Sequence, residues 1–156
     1  MRFNARRMIL IALFAALTAV GGLIRFPMGA VSFTLQVFFC LLAGLLLGPR
    51  DGALSQALYI VIGLLGVPVF SQGGGIGYVL IPSFGYLLGL IPCAYLAGLI
   101  SRAPDARFPR MMAGAGAGIL ALYAIGVPYL YLMVNAFSGS MTFTAALWSG
   151  AVIFLP

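Results

Sequence analysis

The chain alternates between long apolar runs and short breaks built from Gly, Pro, Arg and Asn. Cutting at those breaks leaves apolar segments near residues 8–24, 34–48, 52–67, 83–100, 111–134 and 143–156. One helical crossing of the ~30 Å hydrocarbon core of a bilayer takes about 20 apolar residues. The first five segments read as spans. The sixth is too short to cross and stops at Pro156 within apolar sequence. The pattern predicts an all-α integral membrane protein, a bundle of about six transmembrane helices with the sixth incomplete, forming a single transmembrane domain over residues 1–156.

Composition turns that pattern into a requirement. Hydrophobic residues make up 63% of the chain and charged residues 6%, whereas a soluble domain carries roughly 25% charged residues. Ten charges cannot clothe a water-facing surface for 156 residues. Arg2, Arg6 and Arg7 followed by apolar sequence resemble the start of a secretory signal. The run that follows is longer than a signal core and is succeeded by another apolar segment, so it reads as the first retained span.

All eight basic residues are Arg, and there is no Lys or His. Cytoplasmic connections carry an excess of basic residues. A cytoplasmic N-terminus puts Arg2, Arg6, Arg7, Arg50, Arg102, Arg107 and Arg110 inside and leaves only Arg25 outside. The expected arrangement is therefore a multi-pass membrane protein with its N-terminus in the cytoplasm. Because the arginines sit at the ends of apolar runs and not in a stripe with aromatics, the net charge of +6 marks topology and not nucleic-acid binding.

The residue inventory also narrows the chemistry. With Asp51 and Asp105 as the only acids and no His, paired-carboxylate catalysis, a histidine base and a His-rich metal site are excluded, and no metal is expected. No cofactor is expected. Cys40 and Cys93 fall within spans and read as small packing residues. An intramembrane enzyme would need a nucleophile with its base, so the chain is not expected to be an enzyme. No phosphate loop follows the glycines, so energy for uphill transport would come from a partner or an ion gradient. Both acids lie in cytoplasmic connections, which favours the partner.

The connections differ in kind. Inside, Gly48-Pro49-Arg50-Asp51-Gly52 is a tight turn. Outside, residues 25–33 and 68–83 are longer, and the second holds Gly73, Gly74 and Gly75, where backbone can approach a ligand closely. Gln36, Ser83, Tyr86 and Asn135 stand near the outer ends of spans, where their donors and acceptors suit a urea or amide edge; bonding to neighbouring helices or water is the alternative. Ser55, Gln56 and Tyr59 read as capping and interfacial residues. Small residues recur four apart at Ala12/Ala16, Ala15/Ala19, Gly44/Gly48, Gly85/Gly89 and Gly114/Gly118, a spacing that lets helices approach closely. The alanine face of the first span could equally receive a helix of another protein.

Several blocks together resemble the BioY family, the biotin-specific substrate-binding (S) components of energy-coupling factor (ECF) transporters. They are Phe33-Thr34-Leu35-Gln36, Leu41 through Arg50, Gly66-Val67-Pro68-Val69-Phe70, Gly73 through Gly77, Pro82 through Leu87, Gly126 through Leu130 and Phe154-Leu155-Pro156. The resemblance implies a six-helix S component that binds biotin from outside. It also implies docking on an ECF module of a coupling membrane protein and two ATPases, through a face that Ala12 and Ala16 match. Two departures stand out. The family's usual Gly-Pro-Thr-Gly-Gly-Tyr is Ile81-Pro82-Ser83-Phe84-Gly85-Tyr86 here, and the Gly-Asp and Lys that follow its Phe-x-Pro block fall beyond Pro156. The expected ligand contacts are Gln36, Gly73, Gly74, Gly75, Ser83, Tyr86 and Asn135. A component for another vitamin on the same scaffold, or a self-sufficient permease, is the alternative.

Overall fold

The apolar segments form five α-helices in a computed structural model that describes residues 4–28, 31–102, 108–138, 142 and 144–145. They are α1 (Ala5–Leu23), α2 (Gln36–Leu47), α3 (Pro49–Leu64), α4 (Phe84–Ser101) and α5 (Phe108–Ser138). The sixth predicted segment, 143–156, lies almost wholly outside the described residues, and five helices are described. By length and composition α1, α4 and α5 can cross a membrane.

Two helices are shorter than a full crossing of the hydrocarbon core. At 1.5 Å per residue the 12 residues of α2 reach about 18 Å and the 16 of α3 about 24 Å. Their neighbours hold them short. Before α2, residues of the 25–33 connection form an antiparallel hairpin of β1 (Arg25–Met28) and β2 (Val31–Thr34), with Arg25 opposite Thr34 and Met28 opposite Val31. Between α2 and α3, Gly48 takes φ +89° and Pro49 starts the next helix, a conformation that glycine adopts without penalty followed by the residue best suited to a first helical position.

Helices in lipid gain little from burying apolar surface against one another and rely on close packing. The small residues serve that need. A Cβ at Gly44 would overlap the Ala94 carbonyl of α4, and one at Gly98 would lie 2.6 Å from the Gly44 carbonyl oxygen. On α3, a Cβ at Gly52 would lie 2.8 Å from the Gly44 Cα. Three helices thus cross backbone to backbone at one point. Along the α4/α5 pair, Gly85 lies on Tyr129, Gly89 on Leu122, Gly118 on Cys93 and Gly114 on Ser101. The thiol of Cys40 donates to the Leu90 carbonyl at 3.1 Å, and both cysteines are free and buried.

Helix α1 packs on α2 and α3 with Ile11, Phe14, Ala15 and Thr18, all buried. Its other face carries Ala12 and Ala16, both exposed. The start of α1 is tied to the start of α3 by a two-pronged ion pair: Arg7 Nε donates to Asp51 Oδ2 at 2.5 Å, and a second guanidinium nitrogen donates to Oδ1. Arg102 at the end of α4 reaches Gly48. These residues mark an arginine end of the bundle; the hairpin and the 65–83 connection mark the opposite, loop end.

The three-helix crossing makes a specific demand. Gly44→Val should destabilise the protein by about 1–3 kcal/mol through overpacking, lowering the thermal unfolding midpoint in detergent. Gly116→Ala, where an added Cβ meets open space, should leave the midpoint level or raise it. Equal midpoints for Gly44→Val and the parent would contradict the crossing.

Candidate binding site at the loop end

Beyond α3 the chain folds back on the helix it has just left. The Phe70 N–H donates to the Gly73 carbonyl at 2.9 Å and the Gly73 N–H returns to the Phe70 carbonyl at 3.2 Å. Gly75 N–H donates to the Gly63 carbonyl at 2.7 Å. Gly73 and Gly75 hold φ +120° and +106°, and a Cβ at Gly74 would overlap the Val67 carbonyl. The glycine run is therefore a pinned turn, with two of its members needed for backbone conformation and the third for room. Phe70 is the pin: its ring rests on Gly63, where any Cβ would overlap it, and it is 1% exposed.

Gln36, the first residue of α2, is the second anchor. Thr34 Oγ1 donates to its Oε1 at 2.7 Å, its Nε2 donates to the Tyr59 hydroxyl, and that hydroxyl donates to the Val69 carbonyl at 3.1 Å. This relay joins the hairpin, α2, α3 and the turn. It follows from the scarcity of water in such a place, since a buried polar group there must find protein partners.

The remaining predicted residues gather on α4 and α5. Ser83 stands immediately before α4 and Tyr86 in its first turn. The Ser83 Oγ is buried and has no hydrogen-bond partner among the described residues. Tyr86 packs its ring on Gly126 and edge-on to Tyr123, with centroids 6.1 Å apart. Because Tyr129 of α5 lies level with Gly85, Asn135, six residues on, sits about 9 Å further along that axis. The structure thus makes two groups of the predicted site, Gln36 with the glycine turn and Ser83 with Tyr86. A string of aromatic rings bridges them. Tyr59 to Phe70, Phe70 to Tyr78, Tyr78 to Phe84 and Phe84 to Tyr129 have centroids 5.5, 4.6, 6.5 and 6.0 Å apart. Tyr78 also meets Ser71 Oγ at 3.0 Å, and Tyr129 donates to the Val79 carbonyl.

One expectation is corrected. Ser55, Gln56 and Tyr59 are not capping or interfacial residues: they are 0%, 0% and 1% exposed. Gln56 Nε2 donates to Thr18 Oγ1 and to Ser55 Oγ, each at 3.2 Å, because this face of α3 turns inward onto α1. Tyr59 belongs to the loop-end site. Its signal in the sequence was a tyrosine three residues after a glutamine within an apolar run.

A surface cavity of about 240 Å³ lies elsewhere, at the arginine end between α1 and the α2/α3 turn. It is remote from the predicted contacts. At the loop end the rings of Tyr59, Phe70, Tyr78 and Phe84 are buried beneath the turn.

A family model described as the BioY family matches residues 1–156. The chain belongs to the BioY family. It is 50% identical over 129 residues to a probable biotin transporter BioY of Lysinibacillus sphaericus, covering 82% of this chain and 66% of that one. It is 42% identical over 133 residues to the probable biotin transporter BioY of Pyrococcus horikoshii, covering 85% and 78%. The chain thus spans about two thirds of the first of these relatives. Its fold is similar to that of the crystal structure of the S-component for biotin from an ECF-type ABC transporter, with a TM-score of 0.80 over 99% of this chain and 85% of that one at 24% identity. With three membrane-length apolar helices, this BioY-family chain is a membrane protein.

The relay supplies a prediction. Tyr59→Phe leaves the Gln36 amide and the Val69 carbonyl without a buried partner, at a cost of about 1–3 kcal/mol. The expected result is a lower unfolding midpoint together with faster proteolysis within residues 65–75. A variant as stable and as resistant as the parent would contradict the relay.

Proposed function

We propose that this chain binds biotin at the loop end and delivers it for uptake as the substrate-specific component of an ECF transporter, acting as a single transmembrane domain and not as an enzyme. The observation that carries the reading is the match to relatives named as biotin transporters over more than four fifths of the chain. The loop end adds a chemical reason. Biotin pairs an apolar sulfur ring with a urea. Here an aromatic bed formed by Phe70, Tyr78 and Phe84 adjoins a buried hydroxyl on Ser83 that has no partner among the described residues. Gln36, Gly73, Gly74, Gly75, Ser83, Tyr86 and Asn135 are the proposed surroundings of the ligand, with the turn at 65–75 lifting to admit it and closing above it.

The proposed orientation places the N-terminus and the arginine end in the cytoplasm, by the distribution of Arg residues, and the loop end outside. The exposed face of Ala12 and Ala16 is then the surface for the coupling membrane protein of an ECF module with its two ATPases. Supporting this, α1 turns Ala15 inward and leaves Ala12 and Ala16 exposed, where their small side chains would let another helix come close.

Equilibrium titration of purified protein with labelled biotin tests the ligand, with other vitamins as competitors. Ser83→Ala should weaken biotin binding about fivefold, the equivalent of one neutral hydrogen bond. It should leave the unfolding midpoint level or raised, because the lost hydroxyl is unsatisfied without ligand. Unchanged affinity would remove Ser83 from the site, and preferential displacement by a different vitamin would replace biotin as the ligand.

A second measurement addresses docking. Ala12→Trp or Ala16→Trp should abolish uptake with the ECF module and leave biotin binding by the isolated protein within about twofold, since an exposed substitution disturbs stability little. Equal loss of both would show that this face supports the fold.

A further inference from the structure

We propose that the cavity at the arginine end binds the phosphate of an anionic phospholipid, with Arg6 as its charged contact. The inference needs only that the chain is embedded in a membrane and does not rest on the biotin reading. The lining of the cavity, which measures about 240 Å³, is of two kinds: the polar Asn4, Arg6, Arg7 and Asp51, and the apolar Leu10, Leu46 and Leu47.

Among the polar lining residues, two guanidinium groups against one carboxylate leave a net charge of +1. Asp51 is already engaged by both prongs of Arg7, which fixes Arg7 in place. Arg6 is exposed and forms no ion pair among the described residues. Its guanidinium is therefore the uncompensated charge on the cavity, in a shape suited to two phosphoryl oxygens at once. The Asn4 amide adds a neutral donor beside it.

The leucines decide which phosphate compound fits. Leu46 is 66% exposed and Leu10 36% exposed, and Ile9 beside them is 66% exposed, so this wall continues into the surface that α1 and α2 offer to lipid. A free anion gains nothing from leucines. A phospholipid carries its phosphate and its acyl chains in one molecule, and the cavity lies at the ends of apolar helices, at the depth where headgroups lie. A basic residue in direct contact with an anionic lipid there favours it about fivefold.

Native mass spectrometry tests the proposal on purified protein exposed to equal amounts of phosphatidylglycerol and phosphatidylcholine with matched chains. The expected result is about fivefold preference for phosphatidylglycerol, reduced to near parity by Arg6→Gln and retained by Arg50→Gln, which removes an exposed charge from the same end but outside the cavity. Parity in the parent protein, persistence of the preference in Arg6→Gln, or its equal loss in Arg50→Gln would overturn the proposal. Addition of inorganic phosphate separates the two sources of the same chemistry. Retention of the bound lipid is expected, and its displacement would assign the cavity to a free phosphate and overturn the lipid.

Discussion

The structure depends on how closely three helix backbones approach one another at Gly44, Gly52 and Gly98. In lipid there is no water to expel from between helices, so packing must supply what the hydrophobic effect supplies elsewhere. Each of these glycines faces the backbone of another helix at a distance that excludes a Cβ. The crossing holds α2 and α3 against α4 despite their shortness. It also fixes where the other end of α3 emerges, and hence where the turn at 65–75 is laid.

From that crossing the two ends of the molecule diverge in chemistry. At the loop end, polar groups are few and nearly all are committed: Thr34, Gln36, Tyr59 and the Val69 carbonyl form one relay, and Phe70 seats the turn on Gly63. Ser83 is the exception, and a group left unsatisfied in such surroundings costs free energy until something bonds to it. At the arginine end the imbalance is of charge, with Arg7 neutralised by Asp51 and Arg6 not. These two imbalances sit at the ends of the bundle; Gln56 Oε1 in the middle and Ser101 Oγ are likewise buried without a partner among the described residues. The seam of Thr18, Ser55 and Gln56 between α1 and α3 lies between the two ends and holds its polar groups fully buried.

Much of this was legible in the sequence, and the parts that were not have a common cause. The breaks at Gly48-Pro49 and Pro82-Ser83 fall where helices end or begin, because proline and glycine act locally. Ala12/Ala16 and Ala15/Ala19 are written with the same spacing, yet the structure buries Ala15 and exposes Ala12 and Ala16; spacing shows that residues share a face and not what covers it. Ser55, Gln56 and Tyr59 give the same signal as caps or as a buried seam, and only α1, some 40 residues earlier, decides between them. The seat of Phe70 on Gly63 has no periodicity to betray it. Nor did the glycine run reveal that its freedom is spent on its own backbone, through the Gly73 to Phe70 and Gly75 to Gly63 bonds.

The central claim is that the turn pinned by Phe70 and the relay is the element that closes over the ligand. Amide hydrogen exchange across residues 63–83, with and without biotin, tests it directly. At biotin about a hundred times its Kd, the amides of Phe70, Gly73 and Gly75 should exchange more slowly by up to about a hundredfold, as expected when a ligand stabilises only the closed form. Saturation with biotin that leaves these amides unchanged while slowing exchange elsewhere would contradict the account.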